Sequence, residues 1–136
     1  AVASGRAFEQ MKRWILAQGG DASVLDDFSK LPQASVVREI LAPQDGWICH
    51  MDTQKVGEAS SILGAGRMTK EDSIDFAAGI ILSKKTGDFV KKGEVLAKLY
   101  TNKASAISDS EAMFLHAITW SEQQPAPETL IYEIIR

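Results

Sequence analysis

Gly87-Asp88-Phe89-Val90-Lys91-Lys92-Gly93-Glu94-Val95-Leu96 is the stretch on which the reading of this 136-residue chain turns. Two glycines six positions apart bracket a single apolar pair, and each closes a turn-forming quartet, Lys85-Thr86-Gly87-Asp88 and Lys91-Lys92-Gly93-Glu94. Glycine supplies the backbone conformation that such tight turns demand. The chain must therefore bend twice around Phe89-Val90 before it enters a strand from Val95 to Tyr100. Upstream, Ile74, Phe76, Ala78, Ile80 and Leu82 alternate and predict one long strand, with Asp75, Ala77, Gly79, Ile81 and Ser83 on its other face. Strand, turn, short step, turn and strand make a compact β unit.

Further upstream, Val36, Val37, Ile40 and Leu41 predict a strand within Ser35 to Ala42. The turn residues Pro43-Gln44-Asp45-Gly46 then lead to a second strand in a hairpin-like entry. Along Trp47 to Asp52, strict alternation puts Trp47, Cys49 and Met51 toward the core and Ile48, His50 and Asp52 on the opposite face. Thr53 stands where an N-cap is expected, and Val56, Ala59 and Leu63 give the packing face of a helix ended by Gly64-Ala65-Gly66. A polar loop from Arg67 to Glu71 follows. Downstream, a helix within roughly Asn102 to Thr119 presents Ile107, Glu111, Phe114, Leu115 and Ile118. Pro125 and Pro127 then introduce a final strand, Thr129 to Ile135.

The opening differs in character. Phe8, Met11, Ile15 and Leu16 share one face of a helix from Arg6 to Gln18, which Gly19-Gly20 ends. Asp21 caps a short second turn through Val24 and Leu25, and Leu31-Pro32 closes it. An amphipathic helix with nothing to cover needs a partner surface, so residues 1–33 are expected to belong with a neighbouring domain and residues 34–136 to form a domain of their own. The expected class is α+β.

Hydrophobic residues at 45% and charged residues at 24% describe an ordinary folded chain and exclude a disordered or low-complexity one. Fifteen Lys and Arg against eighteen Asp and Glu leave a net charge of −3. With no basic run longer than pairs such as Lys84-Lys85 and Lys91-Lys92, no nucleic-acid partner is expected. Cys49 is the single cysteine, so an internal disulfide is impossible, and no apolar run approaches the roughly 18 to 20 residues of a membrane span. A cytoplasmic protein without a membrane partner is expected. The start, Ala1-Val2-Ala3-Ser4-Gly5, has neither the cationic nor the apolar part of a signal peptide and reads as a trimmed end.

Chemistry-bearing patterns are few. Cys49 and His50 are neighbours on a strand and so point to opposite faces, which separates a nucleophile from its base. His116 lies far off in sequence, and no spacing of His and Cys matches a metal site. The pairs Asp26-Asp27 and Glu71-Asp72 fall at helix edges or loops, where capping and solvation are the usual roles. Neither a nucleophile elbow nor a phosphate-binding P-loop is present. Gly64-Ala65-Gly66-Arg67 has two readings: glycines that let backbone N–H groups approach an anion beside a forked donor, or a plain loop after a helix C-terminus, the end whose dipole disfavours phosphate. The residues themselves give no catalytic constellation, no cofactor site and no metal site.

The bend around Phe89-Val90 resembles the hammerhead segment of biotinyl and lipoyl domains and their barrel-sandwich relatives. In biotin carriers the modified lysine lies ten residues beyond the second glycine, and Lys103 lies ten beyond Gly93. Tyr100-Thr101-Asn102 departs from the carrier motif, however, and a helical pattern follows where a carrier needs a return strand. A carrier or a free-standing interaction module remains the alternative reading.

A wider resemblance joins Trp14 to Asp21 (WILAQGGD), Leu63 to Arg67 (LGAGR), Ala78 to Leu82 (AGIIL), Lys85 to Ala97 (KTGDFVKKGEVLA) and Leu130 to Ile135 (LIYEII). In this order they resemble the C-terminal region of pyrimidine-nucleoside phosphorylases, the family that includes thymidine phosphorylase. The resemblance implies an α/β-hammerhead domain over residues 34–136, with a mixed sheet and packed helices. It implies that residues 1–33 come from the upstream part of the larger α/β domain. It further implies a parent pentosyltransferase that phosphorolyses uridine, thymidine or deoxyuridine to free base and (deoxy)ribose 1-phosphate. The parent's catalytic, phosphate-binding and monovalent-cation (K⁺) residues, and the helical domain through which it forms a homodimer, would lie upstream of this chain. Within the chain the resemblance offers only a cleft loop, Gly64, Gly66 and Arg67, and it implies that the chain alone is inactive.

Overall fold

The computed structural model describes every residue except Met68, Glu128, Leu130 and Arg136, and divides the chain into two compact units, residues 1–33 and 34–136.

The first unit holds α1 (Arg6–Ala17) and two short 3₁₀ turns, Ala22–Leu25 and Phe28–Lys30. Gly19 at φ 77° ends α1, and the Gly20 N–H returns to the Ile15 carbonyl at 2.9 Å. Asp21 and Asp27 each accept the backbone N–H two residues on, which starts the two turns. Lys12 and Asp26 form an ion pair at 2.7 Å. No residue of α1 is buried, and Trp14 and Leu16 are each about three-fifths exposed.

The second unit contains β1 (Val36–Leu41), β2 (Gly46–Met51), α2 (Thr53–Ser60), β3 (Gly79–Leu82), β4 (Phe89–Val90), β5 (Val95–Thr101), α3 (Ile107–His116) and β6 (Ile118–Ser121). Its strands form two antiparallel sheets, ordered β1-β5-β3 and β4-β2-β6. The expected mixed sheet is thus two purely antiparallel ones, and the α+β class stands. Ile40, Ala97 and Leu99 from one sheet and Ile48, Val90 and Ile118 from the other join Ala59, Leu63, Ile107 and Phe114 in a single core.

The two glycine turns match their sequence reading closely. The Asp88 N–H meets the Lys85 carbonyl at 3.1 Å while the Asp88 carboxylate accepts the Lys85 N–H at 2.8 Å. Glu94 repeats both bonds with Lys91, at 2.9 and 3.0 Å. Gly87 and Gly93 take φ 93° and 84°, the left-handed region closed to most side chains. Between the turns, Phe89 packs edge-on against Trp47 at 5.4 Å, and Val90 is fully buried.

Several expectations are corrected. The hairpin-like entry does not form: β1 pairs with β5 and β2 with β4 and β6, because Ala42 is held by Gly93 and Glu94 at 2.8 Å and the chain then crosses to the other sheet. Strict alternation fails in β2, where an irregularity between Ile48 and His50 leaves Cys49 as an extra residue. Ile48 is fully buried and Trp47 only half-buried, the reverse of the expected facing, and the extra residue brings Met51 back to the core side beside Ile48. The cap of α2 is Asp52 rather than Thr53, since its carboxylate accepts the N–H groups of Gln54 and Lys55 at 3.0 and 3.2 Å. The long strand from Ile74 shrinks to Gly79–Leu82, and Phe76 is exposed. The helix ends at His116, so Ile118 begins β6, whose Ile-Thr-Trp run suits a strand beside β2. The expected strand Thr129 to Ile135 makes no ladder at residues 129 and 131–135, and Leu130 is outside the described residues.

Candidate functional site

Gly64-Ala65-Gly66-Arg67 is the one segment where the sequence reading and the family resemblance both point to function, and in the structure it opens a loop that runs to Ala78. Its entry is built by α2, which runs into a single π-type turn, Ser61–Ala65. Gly64 breaks the helix at φ 110°, and a Cβ there would stand 3.4 Å from the Asp75 Cβ. Gly66 is extended, and a Cβ on it would meet the Ser61 Oγ at 2.5 Å. Both glycines are therefore demanded, one by conformation and one by contact. Arg67 emerges exposed immediately after them.

The loop's base is closed by hydrogen bonds. The Asp75 N–H donates to the Gly64 carbonyl at 2.9 Å, and the buried Thr101 hydroxyl donates to the Leu63 carbonyl at 2.7 Å. These two bonds satisfy carbonyls that the broken helix would otherwise leave without partners. The Thr101 oxygen also accepts the Lys103 N–H at 2.9 Å. The Asp75 carboxylate accepts the Ala77 N–H at 2.9 Å through one oxygen and the Asn102 amide at 2.9 Å through the other. The Asn102 carbonyl oxygen in turn accepts the Ser35 N–H at 2.9 Å. At the far side, Asp72 accepts the Thr69 N–H at 2.8 Å. A loop whose ends meet over a fixed base has its backbone path set at both limbs.

Three carboxylates of this unit, Asp75, Asp52 and Glu94, are held in the ionised form by local partners. The Ala77 N–H, supported by the Asn102 amide and the Lys103 charge, holds Asp75 below the usual carboxylate range against the opposing effect of burial. The Lys55 N–H does the same for Asp52, and the Lys84 ammonium for Glu94. A folded-state pKa below the unfolded one gives stability that is fully present above the unfolded value and lost as pH falls through the folded one. The melting temperature is accordingly expected to hold steady down to about pH 4 and to fall below it. Asp52→Asn keeps a capping oxygen but removes the ionisation, so its curve of melting temperature against pH should be shallower than wild type in acid; parallel curves would refute the role of Asp52.

The remaining candidates take structural places. Cys49 is half-buried and His50 exposed on adjacent positions of β2, and His116 is exposed at the end of α3. Asp26 pairs with Lys12 and Asp27 caps a turn. Lys103 follows β5 and leads into the 3₁₀ turn Ala104–Ala106 and α3, so it is not at the tip of a hairpin and lacks the geometry of a carrier lysine. Among the described residues no group of three metal-ligating side chains converges, and no helix is long and apolar enough to cross a membrane. Sequence reasoning missed Asp75, Thr101 and Asn102. An aspartate that can bond its own backbone two residues on, within Asp75-Phe76-Ala77-Ala78-Gly79, is the turn signal that marks the first of them.

Residues 47–121 match the model of the pyrimidine nucleoside phosphorylase C-terminal domain. A pyrimidine-nucleoside phosphorylase of Geobacillus stearothermophilus is 44% identical over 135 residues, which is 99% of this chain and 31% of that protein. One from Staphylococcus aureus is 42% identical over the same extent. The chain thus spans about a third of the length of these curated relatives. With more than half of its residues matched by the family model, and nearly all of them aligned to such relatives, the chain belongs to the pyrimidine nucleoside phosphorylase C-terminal domain family.

Proposed function

We propose that this chain is the non-catalytic C-terminal portion of a pyrimidine-nucleoside phosphorylase, a pentosyltransferase acting on uridine, thymidine or deoxyuridine. The observation that carries the reading is 44% identity across 99% of the chain to a protein of that name. In phosphorolysis a phosphate oxygen bonds to C1′ as the bond from C1′ to the base nitrogen breaks, and the electron pair departs with the base. That chemistry needs a held phosphate, stabilisation of positive charge on the sugar and stabilisation of negative charge on the base. In this reading the residues for these tasks, the monovalent-cation ligands and the helical dimerisation domain lie upstream of this chain, which matches 31% of the length of such a relative.

In this reading residues 34–136 form an α/β-hammerhead domain, a relative of the barrel-sandwich folds. The double turn around Phe89-Val90 supports that assignment. Residues 1–33 belong to the upstream part of the α/β domain, which gives the exposed apolar side chains of α1 a surface to cover. The Gly64, Gly66 and Arg67 loop forms part of the wall of the substrate cleft and helps close it. The enzyme works in the cytoplasm as a homodimer.

Phosphorolysis of uridine and thymidine is measured with the intact polypeptide that contains this stretch and, alongside, with the 136-residue chain. Turnover by the first and none by the second is expected, and an inactive intact polypeptide refutes the reading. In the intact polypeptide Arg67→Ala is expected to raise KM or lower kcat; an unchanged kcat/KM removes the loop from the cleft wall.

A further inference from the structure

We propose that Asp75 and Asn102 are positioning residues for the loop that carries Arg67. Their side-chain pair fixes the loop's base, so that the guanidinium is presented from one place. The inference rests on the phosphorylase reading and adds to it two residues outside the Gly64 to Arg67 segment.

Arg67 is exposed, and no strand or helix orients it directly. Its backbone position is set three residues earlier, where Gly64 leaves the helix and its carbonyl is tied to the Asp75 N–H at 2.9 Å. Asp75 therefore decides where the returning limb of the loop meets the departing one. Asp75 is itself fixed from outside the loop by the Asn102 amide at 2.9 Å, just past the end of β5, the central strand of its sheet. Asn102 has no freedom to flip, because its carbonyl oxygen is engaged by the Ser35 N–H at 2.9 Å while its amide nitrogen serves Asp75. The chain of bonds from Ser35 to Asn102, Asp75 and Gly64 thus ties a loop to the sheet with every donor and acceptor in a defined sense. The Leu63 carbonyl, taken by the buried Thr101 hydroxyl at 2.7 Å, anchors the other limb one residue away.

The polarity of this relay makes it testable by exchange. Asn102→Asp alone sets two carboxylates against each other and removes the donor. Asp75→Asn with Asn102→Asp restores the side-chain pair with donor and acceptor reversed: position 75 keeps an oxygen for the Ala77 N–H and gains an amide, and position 102 keeps an oxygen for the Ser35 N–H and gains a second acceptor. In the intact polypeptide Asn102→Asp is expected to lower kcat/KM for uridine or thymidine about tenfold, and the double exchange to recover it to within about threefold of wild type. In an Arg67→Ala background the same Asn102→Asp change should cost less than about twofold, since the group being positioned is gone. Hydrogen exchange followed by mass spectrometry should quicken over residues 73–80 in Asn102→Asp, return to wild type in the double exchange, and stay unchanged over β5 residues 96–100.

A double exchange no better than Asn102→Asp overturns the proposal. So does an equal loss with and without Arg67, or unchanged exchange over residues 73–80. A wild-type polypeptide without phosphorolysis overturns the underlying reading and the proposal with it, an outcome distinct from active wild type with indifferent variants.

Discussion

Phe114→Ala is expected to lower the free energy of unfolding by about 3–5 kcal/mol, the usual range for deleting a buried aromatic ring. Total stabilities of about 5–15 kcal/mol are typical, so the loss removes a large share of what holds a domain of this kind together. Phe114 is the largest of the fully buried side chains and belongs to the core that both sheets share with α2 and α3. Its helix is tied to α2 by the buried Ser110 hydroxyl, which donates to the Ala59 carbonyl at 2.8 Å. With that helix fixed, the space left by the ring cannot easily be refilled. Urea unfolding measures the effect through the midpoint and slope. Phe76→Ala serves as the comparison, because Phe76 is 83% exposed and should change stability by no more than about 0.5 kcal/mol. A loss below about 1 kcal/mol for Phe114→Ala would contradict this account of the core.

Gly64→Ala should cost about 1–3 kcal/mol by forcing an L side chain into φ 110°. The new Cβ would stand at ordinary contact distances, 3.4 Å from the Asp75 Cβ and 3.8 Å from the Ala78 Cβ, so the cost comes from the backbone conformation and not from a clash. Gly57 gives the opposite sign. It lies inside α2, and a methyl group added there would meet nothing within 4 Å, so Gly57→Ala should raise stability by about 0.5–1 kcal/mol. Paired thermal melts of the two variants test the argument. Equal effects of the same sign would mean that backbone conformation does not govern these sites.

Where local chemistry and tertiary packing agree, the sequence was legible. Gly87 and Gly93 announced their turns because each turn is closed by an acidic residue one position later, and the structure uses both carboxylates in that way. The strand at Val95 and the helix at Arg6 were equally plain, the latter from its apolar spacing alone. Legibility failed where a single residue overrode a period. Cys49 interrupts β2 so that Ile48 and Met51, three residues apart, both reach the core, which simple alternation forbids. Asp75 captures its own following backbone and cuts short a strand whose apolar alternation ran on unbroken. β6 was hidden because Ile118 continues the helical spacing of α3, and only its pairing with β2 distinguishes the two states. Of the candidate site, the need for Gly64, Gly66 and exposed Arg67 could be read, whereas the Asn102 bond depends on residues 27 positions apart in the chain and leaves no local trace.

The pairing of β1 with β5 also sets an order in time. Val36 must find Thr101, and more than half of the second unit lies between them. Contacts of such long sequence separation carry a loop-closure entropy that slows folding. During synthesis β1 leaves the ribosome long before β5 exists, so this sheet cannot be nucleated from its N-terminal strand and waits for β5. Until then the edge of β1 is an unpaired template, and the newly made chain is most open to association with other chains in the interval before residue 101 appears.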